Sequence, residues 1–204
     1  ESKILYAKLL GMCAEKEGNE TLINELQKVE KWNERILQGR MADFAHLPTP
    51  EDGLILALGF SKDKSVTPEL IKMVERLDAS VPLSHHRSLA LALEKLGDAR
   101  AVESLAALLQ KPGMSGHAVL NMEDALNELE NDGKGERSSG SGQKRSRAMR
   151  EIVLARALYN CADHNEVGEE ILKTYLNDMR GLFARHAYSV LDIDSNPLQM
   201  PDKR

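Results

Sequence analysis

The sequence predicts an all-α fold of stacked antiparallel helix pairs, and three observations lead to that prediction. Leucine and alanine are abundant while aromatic residues make up only 4% of the 204 residues, a balance that favours helix-on-helix packing over strands. Apolar residues recur at the i, i+3, i+4, i+7 spacing of one helical face. Short polar breaks divide the predicted helices into pairs, so the two helices of each pair must pack antiparallel.

The clearest helix pair lies between residues 85 and 112. The apolar face of its first helix is made by Leu89, Ala92, Leu93 and Leu96. Ser84 stands before this helix as a predicted N-cap. Gly97-Asp98 predicts a tight turn because glycine tolerates positive φ. A second apolar stripe over residues 101–109 ends before Pro112-Gly113, so the segment is predicted to be a helical hairpin.

The same pattern recurs three more times, less cleanly. The predicted pairs are residues 4–14 with 21–29, 53–60 with 68–77, and 148–162 with 167–179. Thr67 is the predicted N-cap of the second helix in the middle pair, with Pro68 at the first helical position. Aligning the second helices, with one insertion in the last pair, gives equivalent core positions to Leu22, Leu70, Leu105 and Ile171.

Capping signals predict two further helix starts. Thr49 is the predicted cap of a helix that starts at Pro50. Asn121 is the predicted cap of a short helix in which Asp124 occupies the N3 position. Both capping residues follow loops, which supports helix boundaries at these two places.

The remaining segments are expected to connect or close the stack. Residues 30–39 are predicted to prolong the second helix, and residues 183–191 to form a closing helix. Residues 131–147 are predicted to be a flexible insertion, since they begin with the glycine- and serine-rich run NDGKGERSSGSGQ. Residues 196–204 are predicted to fray. We interpret residues 1–204 as one α-solenoid domain and as a fragment of a longer chain.

The hairpin turn and its surroundings resemble a known repeat family. Residues 93–102 (LEKLGDARAV) resemble the HEAT-like repeat, including the variety named after phycobilisome lyases, in which a small residue and Asp precede a pair such as Ala-Val. Cys161-Ala162-Asp163 and Cys13-Ala14-Glu15 are similar to weaker versions of this turn. HEAT repeats of about 40 residues form solenoids. The uneven spacing here implies a short, irregular α-solenoid of HEAT-like antiparallel helix pairs.

A second resemblance concerns the last half of the chain. Residues 112–118, 154–159 and 178–187 are similar to the helical tail that follows an FAD-dependent oxidoreductase domain in a group of bacterial proteins, some labelled xanthan lyases. The flavin fingerprint Gly-x-Gly-x-x-Gly after a strand does not occur in the sequence. The resemblance therefore implies no cofactor in this chain and FAD in the parent protein.

Charge and composition narrow the classes of partner. The formal net charge of −5 opposes binding to phosphates, so nucleic acid is not a predicted partner. No run of about 18 apolar residues is present, so no membrane span is predicted. Cys13 and Cys161 fall at opposite ends of the stack, so no disulfide is predicted. The sequence begins at Glu1 without a signal peptide, which a precursor would have lost on processing, so localisation stays open.

Arg180, Arg185 and His186 are the first candidate contacts for an anion or a partner. They lie within two helical turns, and their cationic groups suit a phosphate or a carboxylate. Asp178 is close enough in sequence to pair with one of them. The alternative interpretation is a charged helix face that supports the end of the solenoid.

Lys144, Arg145 and Arg147 are the second candidate contacts, and the basic run continues with Arg150 and Arg156. Such a run would attract an acidic partner, an anionic polysaccharide or nucleic acid. The alternative interpretation is the solvated start of the helix that opens the last pair.

The sequence predicts neither a metal site nor a catalytic site. His85 and His86 would point about 100° apart on a helix, so they are expected to be exposed or to stabilise the helix start rather than to bind a metal. Cys161 and His164 are close enough in sequence to share a metal ion, but the sequence has no second ligand pair with matching spacing. No nucleophile elbow, phosphate loop or kinase motif occurs.

We interpret the chain as a non-catalytic HEAT-like scaffold or protein-interaction module, the C-terminal accessory domain of a larger protein, whose partner is another protein or an upstream domain. Two alternatives stay open. The domain docks on an FAD-dependent oxidoreductase and shapes its active site, which predicts a large exposed apolar patch. Otherwise it is a lyase-type enzyme acting on a polysaccharide or a bilin, which predicts a cleft with clustered His, Tyr or Arg and perturbed ionisation.

Overall fold

Helices provide the regular structure of the protein in the computed structural model, which describes residues 2–29, 49–133, 139–162 and 166–192. Within these ranges there is no strand, and ten α-helices follow one another. They are α1 (Ser2–Met12), α2 (Asn19–Gln27), α3 (Pro50–Phe60), α4 (Thr67–Glu75), α5 (Leu83–Leu96), α6 (Val102–Gln110), α7 (Met122–Gly133), α8 (Ser139–Asn160), α9 (Val167–Tyr175) and α10 (Gly181–Val190). The all-α prediction is confirmed.

Four helix pairs stack through their first helices. In chain order the pairs are α1/α2, α3/α4, α5/α6 and α8/α9. Contacts between first helices link them, because α1 packs on α3, α3 on α5, and α5 on α8. α7 contacts α8, while α10 packs against α8 and α9 at the end of the stack. One apolar core runs through all four pairs, from Ala7 in α1 to Ala187 in α10. The main contacts run from each pair to the next, as in a solenoid.

A left-handed residue follows the first helix of every pair. These residues are Ala14, Lys62, Gly97 and Ala162, with φ of 64°, 58°, 55° and 68°. In the second and third pairs an aspartate comes next: Asp63 accepts the N–H of Ser65 at 3.0 Å, and Asp98 accepts that of Arg100 at 3.1 Å. Each aspartate thereby starts a short 3₁₀ turn that leads into the second helix. The turn predicted at Gly97-Asp98 is present and is repeated along the stack.

Small residues let the first helices approach one another closely. Gly11 of α1 lies against Ala57 of α3, and a Cβ at Gly11 would come within 2.4 Å of the Ala57 oxygen. Gly59 of α3 lies against Ala92 of α5, where a Cβ would come within 2.3 Å of Cα. Gly11 and Gly59 each stand three residues before the left-handed residue of their pair, and Ala57 and Ala92 each stand five before it. The same glycine–alanine contact therefore joins α1 to α3 and α3 to α5, although the segments that connect these helices differ in length.

The two further helix starts predicted from capping residues are present. The Thr49 hydroxyl accepts the N–H of Asp52 at 3.3 Å, and an Asp52 carboxylate oxygen accepts the N–H of Thr49 at 2.7 Å, which completes a capping box. Asn121 accepts the N–H of Asp124 at 2.8 Å. Both helices are therefore capped by the residues that the sequence indicated.

Three local predictions are wrong. Ser84 lies inside the first turn of α5, because Pro82 at the N-cap lets the helix begin at Leu83. Thr67 is the first residue of α4 rather than its cap, because the preceding 3₁₀ turn already points the chain along the helix axis. The aligned core positions Leu22, Leu70 and Leu105 are fully buried, but in α9 the fully buried residue is Leu172, and Ile171 is only partly buried.

The fourth pair begins earlier than predicted. α7 extends to Gly133 and α8 starts at Ser139 rather than Ala148. Residues 131–133 and 139–147 of the predicted flexible insertion are therefore helical, since the run that follows Ser141-Gly142 contains good helix formers. Residues 134–138 lie outside the described residues, as do the predicted helix over 30–39, His164 and the tail 196–204.

Candidate functional site

Arg180 is bound within the protein. Its guanidinium donates to both carboxylate oxygens of Asp178, at 2.9 and 2.7 Å, and to the carbonyl of His117 at 2.7 Å. It also lies 4.5 Å from the ring centre of Phe183, in a cation–π contact. Asp178 in turn accepts the N–H of Val119 at 3.1 Å. The predicted pairing of Asp178 with a nearby cation is present, and it fastens the loop before α7 to the start of α10.

Arg185 and His186, predicted with Arg180 as candidate contacts for an anion or a partner, lie in different surroundings. Arg185 is exposed on α10, while His186 is partly buried. His186 lies near the ion pair in which Arg156 Nε donates to Glu94 Oε2 at 2.7 Å. Burial, and then the charge of Arg156, lower the pKa of His186, so its ring is neutral at pH 7.

The basic run on α8 divides into an exposed part and a buried part. Arg145 and Arg147 are exposed and Lys144 is half-exposed. Arg150, which is only 5% exposed, donates to the carbonyls of Ala79 at 2.8 Å and Gly113 at 3.2 Å. The surface cations are therefore the three residues at the start of the run.

A buried acid–histidine pair joins α3 to α5. The Nδ1–H of His85 donates to Asp52 Oδ1 at 2.8 Å, and the two residues are 2% and 0% exposed. The Ser84 hydroxyl lies 3.4 Å from the same ring nitrogen. In a catalytic triad the serine and the aspartate bond opposite ring nitrogens, so these three residues do not form a catalytic triad.

The exposure expected for the two adjacent histidines is wrong. His86 is fully buried like His85, because the first turn of α5 is covered by neighbouring helix pairs. The alternative expectation, a contact that stabilises the helix start, is present at His86, whose Nδ1 lies 3.0 Å from the carbonyl of Pro82.

The described residues offer no metal ligand set, and the buried Cys161 thiol is not activated. No group of three His, Cys, Asp or Glu side chains among them is arranged to hold a metal ion. Cys161 is buried, its thiol lies 3.4 Å from the carbonyl of Leu93, and burial raises its pKa to about 11. The thiol is therefore protonated at neutral pH. No helix of the described chain has the length and apolarity needed to cross a membrane.

Glu151 holds the loop between α6 and α7 in one conformation. The carboxylate is 4% exposed and accepts the N–H groups of Gly116 and His117, each at 2.8 Å. It also accepts the hydroxyl of Tyr175 at 2.7 Å, and burial together with this carboxylate raises the pKa of Tyr175. Arg150 donates to the carbonyl of Gly113, and Asp178 accepts the N–H of Val119 farther along the same loop. The loop is therefore held through its backbone groups.

This fixed loop forms one wall of a groove between α6 and α9. The groove has a volume of about 450 Å³, within the range of ligand pockets. Its apolar lining comes from Leu109, Ala118, Leu120, Val167 and Ile171. Gln110, Ser115 and Thr174 add polar groups. The walls of the groove are mostly apolar.

Large apolar side chains are exposed in two places. Around the loop and the start of α10, the exposed residues are Leu120, Met122, Leu126, Met179 and Leu182, each 44% to 59% exposed. Leu120 also lines the groove. On the first helix they are Leu5, Tyr6, Leu9, Leu10 and Met12, each 39% to 68% exposed; we call them the α1 face. Exposed apolar groups of this kind mark interaction surfaces.

The stacked helix pairs define an all-α repeat protein. Residues 86–111, which cover most of α5 and all of α6, match the sequence model of the PBS lyase HEAT-like repeat. The chain therefore contains a HEAT-like repeat, and the resemblance drawn from the Gly97-Asp98 turn is confirmed. Comparisons with curated proteins and with solved structures gave no match. The link to FAD-dependent oxidoreductases stays a prediction.

Sequence reasoning missed the groove and the α1 face. Glu151, which organises the groove, is one of 32 acidic residues, and its partners lie 24 to 35 residues away. For the α1 face a signal existed, since Leu5, Leu9 and Met12 extend the apolar stripe of α1 around more of the helix than one buried side requires.

Proposed function

We propose that this chain is a non-catalytic scaffold that binds an apolar segment of another protein in the groove between α6 and α9. The observation that carries this proposal is the mostly apolar groove, whose lining includes the half-exposed Leu120 and is followed in the chain by the exposed Met122. Methionine-containing apolar surfaces adapt to the side chains of a partner. Stacked helix pairs commonly supply extended surfaces of this kind.

Two features support a binding role over catalysis. The loop that walls the groove is already tied down by Glu151, Arg150 and Asp178, so little ordering entropy is lost when a partner binds. The ionisable group in the groove, Glu151, has its carboxylate occupied by three donors, and such a group is not poised for proton transfer. The lyase alternative called for a cluster of His, Tyr or Arg in the cleft, and the groove lining lacks one among the described residues.

Peptide selection tests the proposal. A random peptide library displayed on phage is selected against the chain, and the selected peptides are measured by fluorescence anisotropy. Leu120→Asp and Thr174→Trp alter the groove by charge and by bulk, and we expect each to weaken binding about tenfold or more, as loss of a buried anchor does. Leu5→Asp, on the α1 face, is the matched control. Equal affinity for all three variants would contradict the proposal.

A second candidate function is accessory domain of a larger, FAD-dependent enzyme, with an upstream domain as the partner. The α1 face favours it, since this alternative calls for an exposed apolar docking patch. The test is the visible absorption spectrum of the natural full-length protein beside that of this chain. A flavin spectrum in the former alone supports the candidate. A colourless full-length protein, even after FAD is added, rules it out.

A further inference from the structure

Glu151 gives the groove a negative charge that no cation in the groove lining balances. Among the described residues that line the groove, Glu151 alone has an ionisable side chain. Its carboxylate is 4% exposed and accepts hydrogen bonds from uncharged groups, namely the N–H groups of Gly116 and His117 and the hydroxyl of Tyr175. Oε2 accepts two of these bonds and Oε1 accepts one, so Oε1 has room for a further donor.

The cations close in the chain to the groove lining are directed to other partners. Lys111, just after α6, donates to two backbone carbonyls at the end of α4 and just beyond it, at 3.0 and 2.6 Å. Arg150 likewise donates to two backbone carbonyls, at 2.8 and 3.2 Å. Lys173 on α9 pairs with Glu169 at 2.7 Å. These three cations therefore have partners within the chain other than Glu151.

The exposed side of α9 adds a second negative charge at the edge of the groove. Val167 and Thr174 line the groove, and Glu170 stands between them in the chain. Residues three or four apart are neighbours on a helix surface, so Glu170 borders both lining residues. Glu170 is exposed, and the nearby Lys173 is bonded to Glu169 instead. A cation that enters the groove therefore meets negative charge first at its edge and then in its lining.

We propose that the apolar segment bound in the groove carries a lysine or an arginine, whose cationic group donates to Oε1 of Glu151. This inference rests on the proposed function, since it names the chemistry of the segment that the groove binds. A partner that covers the groove removes water from Glu151, and a buried carboxylate is costly unless a cation accompanies it. A lysine or an arginine supplies that cation through a charge-assisted hydrogen bond. An acidic segment is repelled, so the sign of the charge makes the groove selective.

Glu170 has a different effect from Glu151. An exposed charge at the edge of an interface mainly changes the rate of association and its dependence on salt. The Debye length is about 10 Å at 0.1 M salt, so the field of Glu170 reaches a cation that enters the groove beside it. Glu151 therefore determines how long the segment stays bound, and Glu170 how fast it arrives.

Synthetic peptides test the pairing with Glu151. The tightest peptide from the phage selection is compared with copies in which each lysine or arginine in turn is replaced by norleucine, which keeps an apolar stem and removes the charge. One copy is expected to bind about tenfold or more weakly. In Glu151→Gln, which lacks the charge, that copy and its parent should differ by about twofold or less. The ratio of the two affinities is the readout, because a loosened loop weakens both peptides alike.

Charge reversal on α9 tests the effect of Glu170. In stopped-flow measurements at about 50 mM salt, Glu170→Lys is expected to slow association of the basic peptide about threefold or more. Association of the norleucine copy should change much less. Glu20→Lys is the matched control, because Glu20 is also exposed and also stands two residues before a fully buried leucine, Leu22 in α2 as Leu172 in α9. Equal rates for the two variants contradict the effect of Glu170.

The outcomes separate this inference from the proposed function. Selected peptides that lack lysine and arginine, or norleucine copies that all bind as tightly as their parent, overturn the inference; if Leu120→Asp still weakens these peptides, the groove remains the binding site. A selection that yields no peptide, or binding that Leu120→Asp and Thr174→Trp leave unchanged, overturns the proposed function and the inference with it.

Discussion

His86 makes the stability of the fold depend on pH. Its ring is fully buried at the start of α5. Burial lowers its pKa to about 4, and the charges of Arg150 on α8 and of the neighbouring His85 act in the same direction. The carbonyl of Pro82, 3.0 Å from Nδ1, offsets only part of this effect. The folded protein therefore keeps His86 neutral at a pH where an unfolded chain would protonate it.

The size of the effect follows from the two pKa values of His86. An unfolded histidine has a pKa of about 6.5. Between pH 6.5 and about pH 4, His86 binds a proton in the unfolded state but not in the folded state. The free energy of unfolding therefore falls as the pH is lowered through this window. The expected loss between pH 7 and pH 5 is about 2 kcal/mol. His186, whose pKa burial also lowers, adds a loss of the same sign.

Urea unfolding followed by circular dichroism at pH 7, 6 and 5 measures this loss. His86→Leu keeps a similar volume but cannot titrate, so the dependence of its unfolding free energy on pH should be smaller by about 2 kcal/mol over the window. Its stability at a single pH is not diagnostic, because the variant also loses the hydrogen bond to Pro82. If the unfolding free energy depends on pH equally in the unsubstituted protein and in His86→Leu, the reasoning is refuted.

Two further predictions concern glycine and left-handed backbone, and thermal melting checks both. Gly59→Ala should destabilise the protein by about 1–3 kcal/mol, because its Cβ meets the backbone of Ala92. Gly53→Ala should instead stabilise it by about 0.5–1 kcal/mol, because its Cβ meets only the flexible end of a lysine at 3.2 Å. Lys62→Gly should stabilise the protein by about 1 kcal/mol, since Lys62 has a φ of 58°, whereas Gly97→Ala should destabilise it by a similar amount. Equal effects within either pair of variants would contradict the corresponding prediction.

The helix pairs could be predicted because their signals are local. The stripe of Leu89, Leu93 and Leu96 and the Gly97-Asp98 turn lie within ten residues and correctly predict where α5 ends and where the turn toward α6 begins. The weaker copies of the turn were harder to recognise, because Ala14 and Ala162 adopt the left-handed conformation without being glycine. At Lys62 the same conformation went unrecognised, since nothing in a lysine indicates a positive φ.

The polar interior could not be predicted, because its partners come from different helix pairs. One oxygen of Asp52 completes the capping box of α3, while the other accepts a hydrogen bond from His85, 33 residues away. Arg150 looked like part of a solvated basic run, yet it lies beneath the loop that it holds, with one acceptor 71 residues earlier. Such long-range contacts decide which charged residues are buried, and no local pattern encodes them.

The α1 face and the groove lie at opposite ends of the order in which the helix pairs contact one another, α1 to α3 to α5 to α8. A partner held in the groove therefore leaves the α1 face uncovered. A chain with both surfaces engaged would bring two different proteins together, which is the task of a scaffold.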